Sequence, residues 1–536
     1  MVQGVRAAHF RRLSGMALFH AELSTLPVDR RIFATLLIAA YAHSSGVSWP
    51  IHAFFEHGAS VWWLQIVALA VLCWCLRHAS TWRQAFGLGW LFATAWLCST
   101  FWWLYVAMHT YAGLHGAIAA LAIVALAGAL GLYYALAMGL FWHLSQNRPV
   151  IGALVFAAAW TCAEMARGTW LTGFGWGAVG YAHADGPLAF YIPWLGAYGV
   201  GAIAAWLAAV LASKLRAAPS AWAAGLALLV LGMTAPASLT QWTEPTGSLT
   251  VRLLQGNIPQ DEKFEPGTGV RQALQWYGDQ LMAGQGALVV APETAIPVLP
   301  QQLPAEYWGA LQQQFLQGKQ AALIGIPLGS YSQGHTNSVI GLAPGLTEPW
   351  RYDKHHLVPF GEFIPPLFKW FTQMMNIPLG DFNRGPLGQP SFAWQGQRLA
   401  PNICYEDLFG EELGTRFTNP ALAPTIFVNV SNIGWFGNSV AIDQHLTISR
   451  MRALEFERPF VRATNTGATA FLDHLGQVTA ALPRLSEGVL DGAVQGRTGL
   501  TPFAWWVSRW GLWPLWLLAL AIIAFGYRQL RYLSTD

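Results

Sequence analysis

Long apolar runs separated by short polar connections fill most of the first 242 residues of this chain. Only five acidic residues precede Trp242, and almost all the others lie between Glu244 and Asp491. A helix needs about 20 mostly apolar residues to cross the ~30 Å hydrocarbon core of a bilayer. Runs that reach or approach this length occupy residues 32–49, 59–76, 86–107, 117–144, 150–166, 188–213, 220–236 and 510–527. The pattern predicts an α-helical transmembrane bundle of about eight spans, with a polar domain inserted before the last span.

The composition excludes two classes of protein. Hydrophobic residues make up 54% of the chain and charged residues only 11%, whereas an average soluble domain is about 25% charged. The formal net charge is +3, and we find no basic cluster with interleaved aromatic side chains of the kind that binds nucleic acid. The chain is therefore neither one soluble domain nor a nucleic-acid-binding protein.

The positions of the cysteines single out one of them. Cys73, Cys75, Cys98 and Cys162 lie in apolar runs, and Cys404 alone lies in the polar domain. Neither a disulfide framework nor a zinc site is therefore indicated. A lone cysteine in such a domain is a candidate nucleophile if it has suitable partners, and otherwise a buried core thiol.

Basic residues determine the expected orientation of the bundle. They fall on alternate connections, at the N-terminal arginines and at Arg77, Arg83, Arg148, Lys214, Arg216, Arg528 and Arg531, while the opposite connections before the polar domain carry only Arg167. The positive-inside rule places the basic side in the cytoplasm. Both termini are then cytoplasmic, and the polar domain faces the periplasm of a bacterium from its inner membrane.

Strand-like and helix-like segments alternate after Ser248. Strands are expected at 249–255, 287–291, 321–326, 338–342, 398–403, 425–430, 468–472 and 477–481, and helices at 267–283, 304–318 and 442–456. This alternation predicts an α/β layered domain. We therefore divide the chain into a cytoplasmic arm (1–31), a bundle of about seven spans (32–242), a periplasmic domain (243–500), and a final transmembrane helix with its cytoplasmic tail (501–536).

Residues 164–187 form an expected outward connection that is rich in glycine and aromatic side chains. Such a segment is typical of an aromatic belt at the membrane interface. Glu164 and Arg167, near the end of a predicted helix, could pair with each other or meet a lipid head group.

Three residues with useful chemistry end a strand or start a loop in the polar domain. Glu293 follows the apolar 287–292, Lys354 lies in the loop 351–363, and Cys404 joins a strand to the acidic stretch 406–413, which is read as the start of a helix. Helix-start amides and a nearby cation lower the pKa of a thiol and can hold an oxyanion. A base, a cation and a thiol are what acyl transfer through a thioester requires. Taken singly, each residue also fits a non-catalytic role: a capping carboxylate for Glu293, a solvated lysine for Lys354, and a core thiol for Cys404.

In this order the three residues resemble the Glu-Lys-Cys triad of the nitrilase superfamily. Longer motifs resemble the apolipoprotein N-acyltransferase family: 171–174 (LTGF), 255–260 (QGNIPQ), 292–297 (PETAIP), 354–363 (KHHLVPFGEF), 403–406 (ICYE), 432 with 435–437 (N, WFG) and 450–455 (RMRALE). The resemblance covers nearly the whole chain after residue 32. One departure is Phe264, where we expect the family to favour tryptophan.

The resemblance implies a nitrilase-like αββα sandwich carried on the transmembrane bundle. It also implies a reaction, the last step of bacterial lipoprotein maturation. An acyl chain passes from a phospholipid to the N-terminal α-amine of a diacylglyceryl-cysteine in an apolipoprotein, through a thioacyl-enzyme on Cys404. No cofactor or metal is implied, and we expect a monomer in the membrane. Two alternatives stay open. The first, from the same superfamily, is a membrane-tethered carbon-nitrogen amidase or hydrolase. The second, from another class, is a transporter or receptor whose outer domain only binds.

The resemblance also assigns roles to individual residues. Glu293, Lys354 and Cys404 are the expected catalytic residues, with Glu362, Tyr405 and Glu406 in support. Expected lipid contacts are Phe264, Phe368, Trp370, Phe371 and Trp435. The apolar stretch 365–377 is either an arm that dips into the leaflet or a loop packed over the core of the polar domain.

Overall fold

The computed structural model describes residues 30–145, 148–235, 241–284, 286–330, 332–364 and 382–533. Its first part is a helical bundle built from α1 (Arg30–Ser45), α2 (Trp62–Arg77), α3 (Trp82–Thr100), α4 (Gly116–Leu144), α5 (Pro149–Thr169), α6 (Ile192–Leu211) and α7 (Pro219–Thr234). Five shorter helices follow in the second part: α8 (Gly269–Met282), α9 (Ala305–Leu316), α10 (Gly410–Gly414), α11 (Ala441–Phe456) and α12 (Pro502–Trp510). The last helix, α13 (Trp513–Leu533), packs back against α5.

Half of the predicted membrane spans meet the requirements for crossing a bilayer. In the described part of the chain, the helices that are long and apolar enough are Gly116–Leu144, Pro149–Thr172, Pro187–Leu211 and Trp513–Arg531. Helices α1, α2 and α7 each have 16 residues, and that number spans only about 24 Å. Every predicted apolar run does contain a helix, but the count of eight spans stays a prediction.

Two six-stranded sheets form the second part, which we call the sandwich domain (residues 243–500). The strands are β1 (Thr243–Gln255), β2 (Leu288–Ala291), β3 (Ala321–Ser330), β4 (Gly334–Leu342), β5 (Trp350–Asp353), β6 (Phe392–Trp394), β7 (Gln397–Ile403), β8 (Ile426–Ser431), β9 (Phe460–Thr464), β10 (Ala470–Leu472), β11 (Val478–Ala481) and β12 (Gly488–Gly499). Their orders are β12-β1-β2-β3-β4-β5 and β11-β10-β9-β8-β7-β6. Strands β1, β2 and β3 pair in parallel, as do β7, β8 and β9, and antiparallel strands flank both groups.

The two sheets pack face to face between two layers of helices. Leu253 and Val290 of one sheet share a buried core with Ile403 and Val428 of the other. Helices α8 and α9 cover the outer face of the first sheet, and α10, α11 and α12 cover that of the second. Strands covered on both faces read as continuous apolar runs, as the fully buried β2 does. The layers form the expected αββα sandwich.

Helix α11 joins the sandwich domain to the bundle. Gln444 accepts hydrogen bonds from the indole N–H groups of Trp103 (3.0 Å) and Trp176 (2.7 Å). Glu455 accepts one from the backbone N–H of Ala197 at 2.7 Å. That N–H is available because α6 is interrupted at Gly196, whose φ of +67° lies outside the helical range. Buried polar side chains of one helix thereby fix the position of the whole domain on the bundle.

The local structure differs from the sequence-based expectation at several places. Cys404 begins a short 3₁₀ helix, Cys404–Leu408, and the α-helix starts only at Gly410. Strands β5, β6, β9 and β12 were not predicted. β12 carries little apolar alternation and is held mainly by its long antiparallel pairing with β1, a partner about 240 residues away in the chain.

Candidate active site

The expected catalytic residues all follow the ends of strands at one edge of the two sheets. Glu293 comes two residues after β2, Lys354 directly after β5, and Cys404 directly after β7. The central strands of each sheet are parallel, so their carboxyl ends lie at one edge. Strand β5 runs in the same direction as β3, because both pair antiparallel with β4. The structure brings these three residues together, along with the expected supporting residue Glu362.

Two carboxylates share one lysine and one amide at the centre of the site. Lys354 Nζ donates to Glu362 Oε1 at 2.8 Å and to Glu293 Oε1 at 3.3 Å. Asn337 Nδ2 donates to the same two oxygens, each at 2.7 Å. All four residues are buried. Asn337, on β4, was missed by sequence reasoning, because an asparagine inside a strand carries no signal of its own.

The main chain completes the positioning of both carboxylates. Glu293 Oε2 accepts the backbone N–H of Asn432 at 2.9 Å, and Glu362 Oε2 accepts that of Val358 at 2.8 Å. A second lysine, Lys263, is fully buried and donates from Nζ to the carbonyl oxygen of Glu293 at 3.0 Å. Lys263 was not among the expected site residues.

Cys404 occupies a left-handed conformation with φ of +53°, which is uncommon for a residue with a side chain. Its carbonyl oxygen accepts hydrogen bonds from Asn429 Nδ2 at 3.2 Å and from His445 Nε2 at 3.1 Å. These contacts hold the strained main chain, and the thiol lies close enough to Glu293, Lys354 and Glu362 for their charges to act on it. Strain of this kind is typical of functional sites.

The thiol of Cys404 is less acidic than the sequence suggested. Burial raises its pKa to about 12, and the charge of Glu293 acts in the same direction. The charge of Lys354 and a hydrogen bond with Ser431 oppose this rise without cancelling it. The expectation of a lowered thiol pKa is therefore wrong for the substrate-free protein, because desolvation outweighs the nearby cation. Proton removal from the thiol needs a base.

The two lysines of the site respond to burial in opposite ways. For Lys354, burial alone would lower the pKa, but the charges of Glu293 and Glu362 more than offset it and the pKa is raised. For Lys263, burial lowers the pKa to about 7, against the opposing effects of Glu293 and Cys404. Lys354 is thus a permanent cation, whereas Lys263 can lose its charge near neutral pH.

Glu406 ties the loop that carries Lys354 to the turn that carries Cys404. One of its oxygens accepts the backbone N–H groups of His355 (2.7 Å) and His356 (3.2 Å), and the other accepts the N–H of Ile403 (2.7 Å) and the hydroxyl of Tyr352 (2.8 Å). Burial raises the pKa of this carboxyl, although these donors oppose the rise. The expected supporting role of Glu406 therefore has a geometric basis in positioning.

A buried polar network that the sequence did not reveal lies beneath the turn. Asp407 Oδ1 pairs with His445 Nε2 at 2.9 Å, and Asp407 Oδ2 with Arg462 Nη1 at 3.2 Å. All three side chains are buried. The one available signal was an arginine in the middle of the apolar segment that forms β9.

Tyr405 connects the turn to the bundle. Its hydroxyl donates to the carbonyl oxygen of Gly173 at 2.9 Å, and its ring lies 6.4 Å from that of Phe174 at an interplanar angle of 24°. Arg167 holds this bundle loop, residues 167–176, by donating to the carbonyl oxygens of Phe174 (2.5 Å) and Trp176 (2.9 Å). Residues of the predicted interfacial connection therefore form part of the wall behind the nucleophile.

The charges of Glu164 and Arg167 act on each other, as one of the two alternatives expected, but each side chain also has other partners. Glu164 accepts the backbone N–H of Val179 at 2.8 Å, and Arg167 also donates to the hydroxyl of Tyr134 at 2.8 Å. Both side chains are buried. They stabilise the bundle and its loop from within.

The expected lipid contacts are only partly described. Phe264 is 40% exposed beside the site. Trp435 is half-buried, with its ring edge-on to Tyr111 at 5.9 Å. Phe368, Trp370 and Phe371, with the whole apolar stretch 365–377, lie outside the described residues.

Comparisons with known proteins agree with the two-part architecture. Residues 53–210 match the family described as apolipoprotein N-acyltransferase N-terminal domain, and residues 250–503 match the carbon-nitrogen hydrolase family. The sandwich domain thus has the nitrilase-like carbon-nitrogen hydrolase fold. A solved structure with a weak likeness, a carbon-nitrogen hydrolase from Helicobacter pylori G27, has a TM-score of 0.35 and 15% identity, and covers 50% of this chain and 94% of its own.

Two curated relatives extend the similarity over nearly the full length. The apolipoprotein N-acyltransferase of Verminephrobacter eiseniae is 55% identical over 500 residues, covering 89% of this chain and 92% of its own. That of Ralstonia nicotianae is 48% identical over 454 residues, covering 82% and 85%. This level of identity, together with the apolar helices, makes the chain a membrane protein that belongs to the apolipoprotein N-acyltransferase family.

Proposed function

We propose that this protein transfers an acyl chain from a phospholipid to the N-terminal α-amine of a diacylglyceryl-cysteine in an apolipoprotein, the last step of bacterial lipoprotein maturation. The observation that carries the proposal is the contact between the catalytic turn and the bundle. Tyr405, next to the candidate nucleophile, donates to Gly173 of the bundle loop at 2.9 Å. Because the residue next to Cys404 contacts the bundle, the thiol is well placed to react with an ester that stays in the leaflet.

The energetics of the donor favour such a placement. Two acyl chains contain roughly 30 methylenes, and at ~0.8 kcal/mol each their transfer into water would cost more than ~20 kcal/mol. An enzyme that extracted the whole phospholipid into a soluble pocket would have to recover this free energy in binding. A site that rests on the membrane avoids the extraction.

In the first half-reaction, Glu293 accepts the thiol proton of Cys404 as the sulfur attacks the carbonyl carbon of the donor ester. The negative charge moves to the carbonyl oxygen, where Lys354 and the backbone N–H of Tyr405 stabilise it by about 3–4 kcal/mol per donor. The C–O bond then breaks, and the lysophospholipid oxygen takes the proton back from Glu293. A thioester on Cys404 remains.

In the second half-reaction, the α-amine of the lipoprotein attacks the thioester. Glu293 accepts a proton from the amine, the C–S bond breaks, and the thiol is restored when the proton returns to sulfur. Glu362 supports both steps by holding Lys354 Nζ at 2.8 Å. Glu406 keeps the turn in register with the loop of Lys354, and Tyr405 holds the turn against the bundle.

We also propose that the protein lies in the bacterial inner membrane with the sandwich domain in the periplasm. Arg77 donates to the carbonyl oxygen of Ala212 at 3.2 Å, and Arg148 to that of Gln529 at 2.6 Å, so the basic residues gather at one end of the bundle. The contacts with the sandwich domain lie at the other end of α5, in the loop that follows it, and at the start of α6. The positive-inside rule then assigns the basic end to the cytoplasm.

An amidase or hydrolase of the same superfamily would use the same three residues, with water as the final acceptor. The two reactions differ in what removes the acyl chain from Cys404. The deciding experiment supplies the purified enzyme with a phospholipid and a synthetic diacylglyceryl lipopeptide in detergent micelles, with Cys404→Ala as control. Mass spectrometry should show a lipopeptide heavier by one acyl chain, and only with the wild type. Free fatty acid with an unchanged lipopeptide would support the hydrolase, and no turnover by folded enzyme would remove the proposal.

A further inference from the structure

Lys263 is a second lysine in the site, and the half-reactions above leave it without a role. It lies in the loop after β1, its side chain is fully buried, and its Nζ donates to the carbonyl oxygen of Glu293 at 3.0 Å. Placing an ammonium in a protein interior costs several kcal/mol unless nearby charges compensate. A lysine used only to hold a loop would cost less at the surface, and the neighbouring Phe264 is indeed 40% exposed.

The charge balance of the site indicates a role for Lys263. Glu293 and Glu362 contribute two negative charges and Lys354 one positive charge, all joined by hydrogen bonds. With Cys404 as a neutral thiol, these groups carry a net charge of about −1 in a poorly solvated place. A charged Lys263 brings the sum to zero.

The groups that face Lys263 are the two that exchange the proton. The charges of Glu293 and of ionised Cys404 both act on it. When the thiol proton moves to Glu293, negative charge leaves the carboxylate and appears on sulfur. A cation close to both stabilises the site before and after the transfer.

We propose that Lys263 is a positioning residue for the proton transfer, which holds the main chain of Glu293 and balances the second carboxylate of the site while the thiol proton of Cys404 moves to Glu293. This rests on the proposed function, since the base and nucleophile are those assigned above. Lys263 keeps its own proton throughout the step. No covalent bond to Lys263 forms or breaks.

The proposal has a consequence for the dependence of acylation on pH. Because burial lowers the pKa of Lys263 to about 7, its charge is present below that value and is lost as the pH rises through it. The rate of thioester formation should therefore fall above about pH 7. Ionisation of the thiol alone would change the rate in the opposite direction.

The experiment measures acylation of full-length enzyme in detergent micelles given a phospholipid without acceptor, between about pH 6 and about pH 9. The variants are Lys263→Met, which removes the charge, and Lys263→Arg, which keeps it at every pH of the range. Lys319→Met, at an exposed lysine, is the matched control. Thermal unfolding checks that each variant is folded, and intact-mass analysis follows the added acyl chain.

We expect Lys263→Met to acylate roughly tenfold to a hundredfold more slowly below pH 7, with no decline at higher pH. Lys263→Arg, if folded, should be faster than Lys263→Met and also lack the decline, and Lys319→Met should match the wild type. Folded Lys263→Met with the wild-type rate, or with the wild-type decline, would overturn the inference.

A second measurement separates this inference from the proposed function. Alkylation of Cys404 by iodoacetamide, followed by peptide mapping, needs no lipid. It should be slower in Lys263→Met than in the wild type below about pH 7, because the thiolate loses a nearby cation. Equal alkylation rates would count against Lys263 even if acyl transfer occurs, whereas wild type that is never acylated would count against the proposed function alone.

Discussion

Glu406 accepts the backbone N–H of His355 at 2.7 Å, across 51 positions of the chain. His355 follows Lys354, and Glu406 lies two residues after Cys404, so this bond sets the spacing between the cation and the thiol. The other oxygen of Glu406 accepts the N–H of Ile403, one residue before the cysteine. One buried carboxylate thus holds both sides of the candidate site.

Replacing Glu406 by glutamine should therefore impair acylation without removing any reacting group. The new amide NH₂ would face either the Ile403 N–H or the two N–H groups of the Lys354 loop, and a buried donor left unpaired costs about 1–3 kcal/mol. We expect a lower unfolding temperature and slower thioester formation on Cys404. Thermal unfolding and intact-mass kinetics measure the two effects, with the exposed Glu348→Gln as control. Wild-type kinetics in Glu406→Gln would contradict a positioning role.

Phospholipid without acceptor should stop the enzyme as a thioester. Intact mass should increase by one acyl chain, neutral hydroxylamine should remove it, and peptide mapping should place it on Cys404. Cys404→Ala and Lys354→Ala should not acquire the chain, since the first lacks the nucleophile and the second lacks the charge near the oxyanion. Glu293→Gln should be slow in both half-reactions, because each needs a proton acceptor. Product formed by Cys404→Ala would exclude the thioester route.

The thiol of substrate-free enzyme should react slowly with iodoacetamide at neutral pH. Burial raises the pKa of Cys404 to about 12, whereas an unperturbed cysteine titrates near about 8.5. At pH ~8 we expect alkylation of Cys404 to be at least roughly a hundredfold slower in native than in urea-unfolded enzyme. A native rate that levels off near pH ~8 would show that the thiol is acidic after all.

The same shift in pKa predicts how stability changes with pH. The folded state holds the thiol proton more tightly than the unfolded state, so the contribution of Cys404 to stability is complete below about pH 8.5. It should be lost as the pH rises toward about 12. Cys404→Ser, measured by thermal unfolding across this range, should lose less stability at high pH than the wild type does.

The orientation of the chain can be tested directly. A reporter fused after Trp242 or within residues 243–500 should be periplasmic, and one fused after Arg531 cytoplasmic, because the basic residues of the bundle lie on one side. A non-permeant protease added to spheroplasts should digest the sandwich domain. Protection of that domain until the membrane is permeabilised would reverse the topology.

Local patterns in the sequence were sufficient to predict most of the architecture. Apolar runs predicted each helix of the bundle, since hydrophobic length depends on neighbouring residues alone. Alternating strands and helices predicted an α/β layered domain, and the family resemblance specified it as an αββα sandwich. The residues at strand ends predicted where Glu293, Lys354 and Cys404 would lie. Hydrophobic length alone did not fix the number of membrane spans, because α1, α2 and α7 are shorter than the bilayer core.

Only the tertiary structure decided which side chains complete the site and how its groups titrate. The backbone N–H of Asn432 reaches Glu293 across 139 positions. Lys263 reaches the same residue from the loop after β1, where the sequence drew attention to Phe264 and not to the lysine. The sequence shows the charge of Lys354, but it does not show the burial that outweighs the effect of this charge on the pKa of Cys404. Burial and long-range hydrogen bonds arise when distant segments pack together, so residue type and spacing along the chain do not determine them.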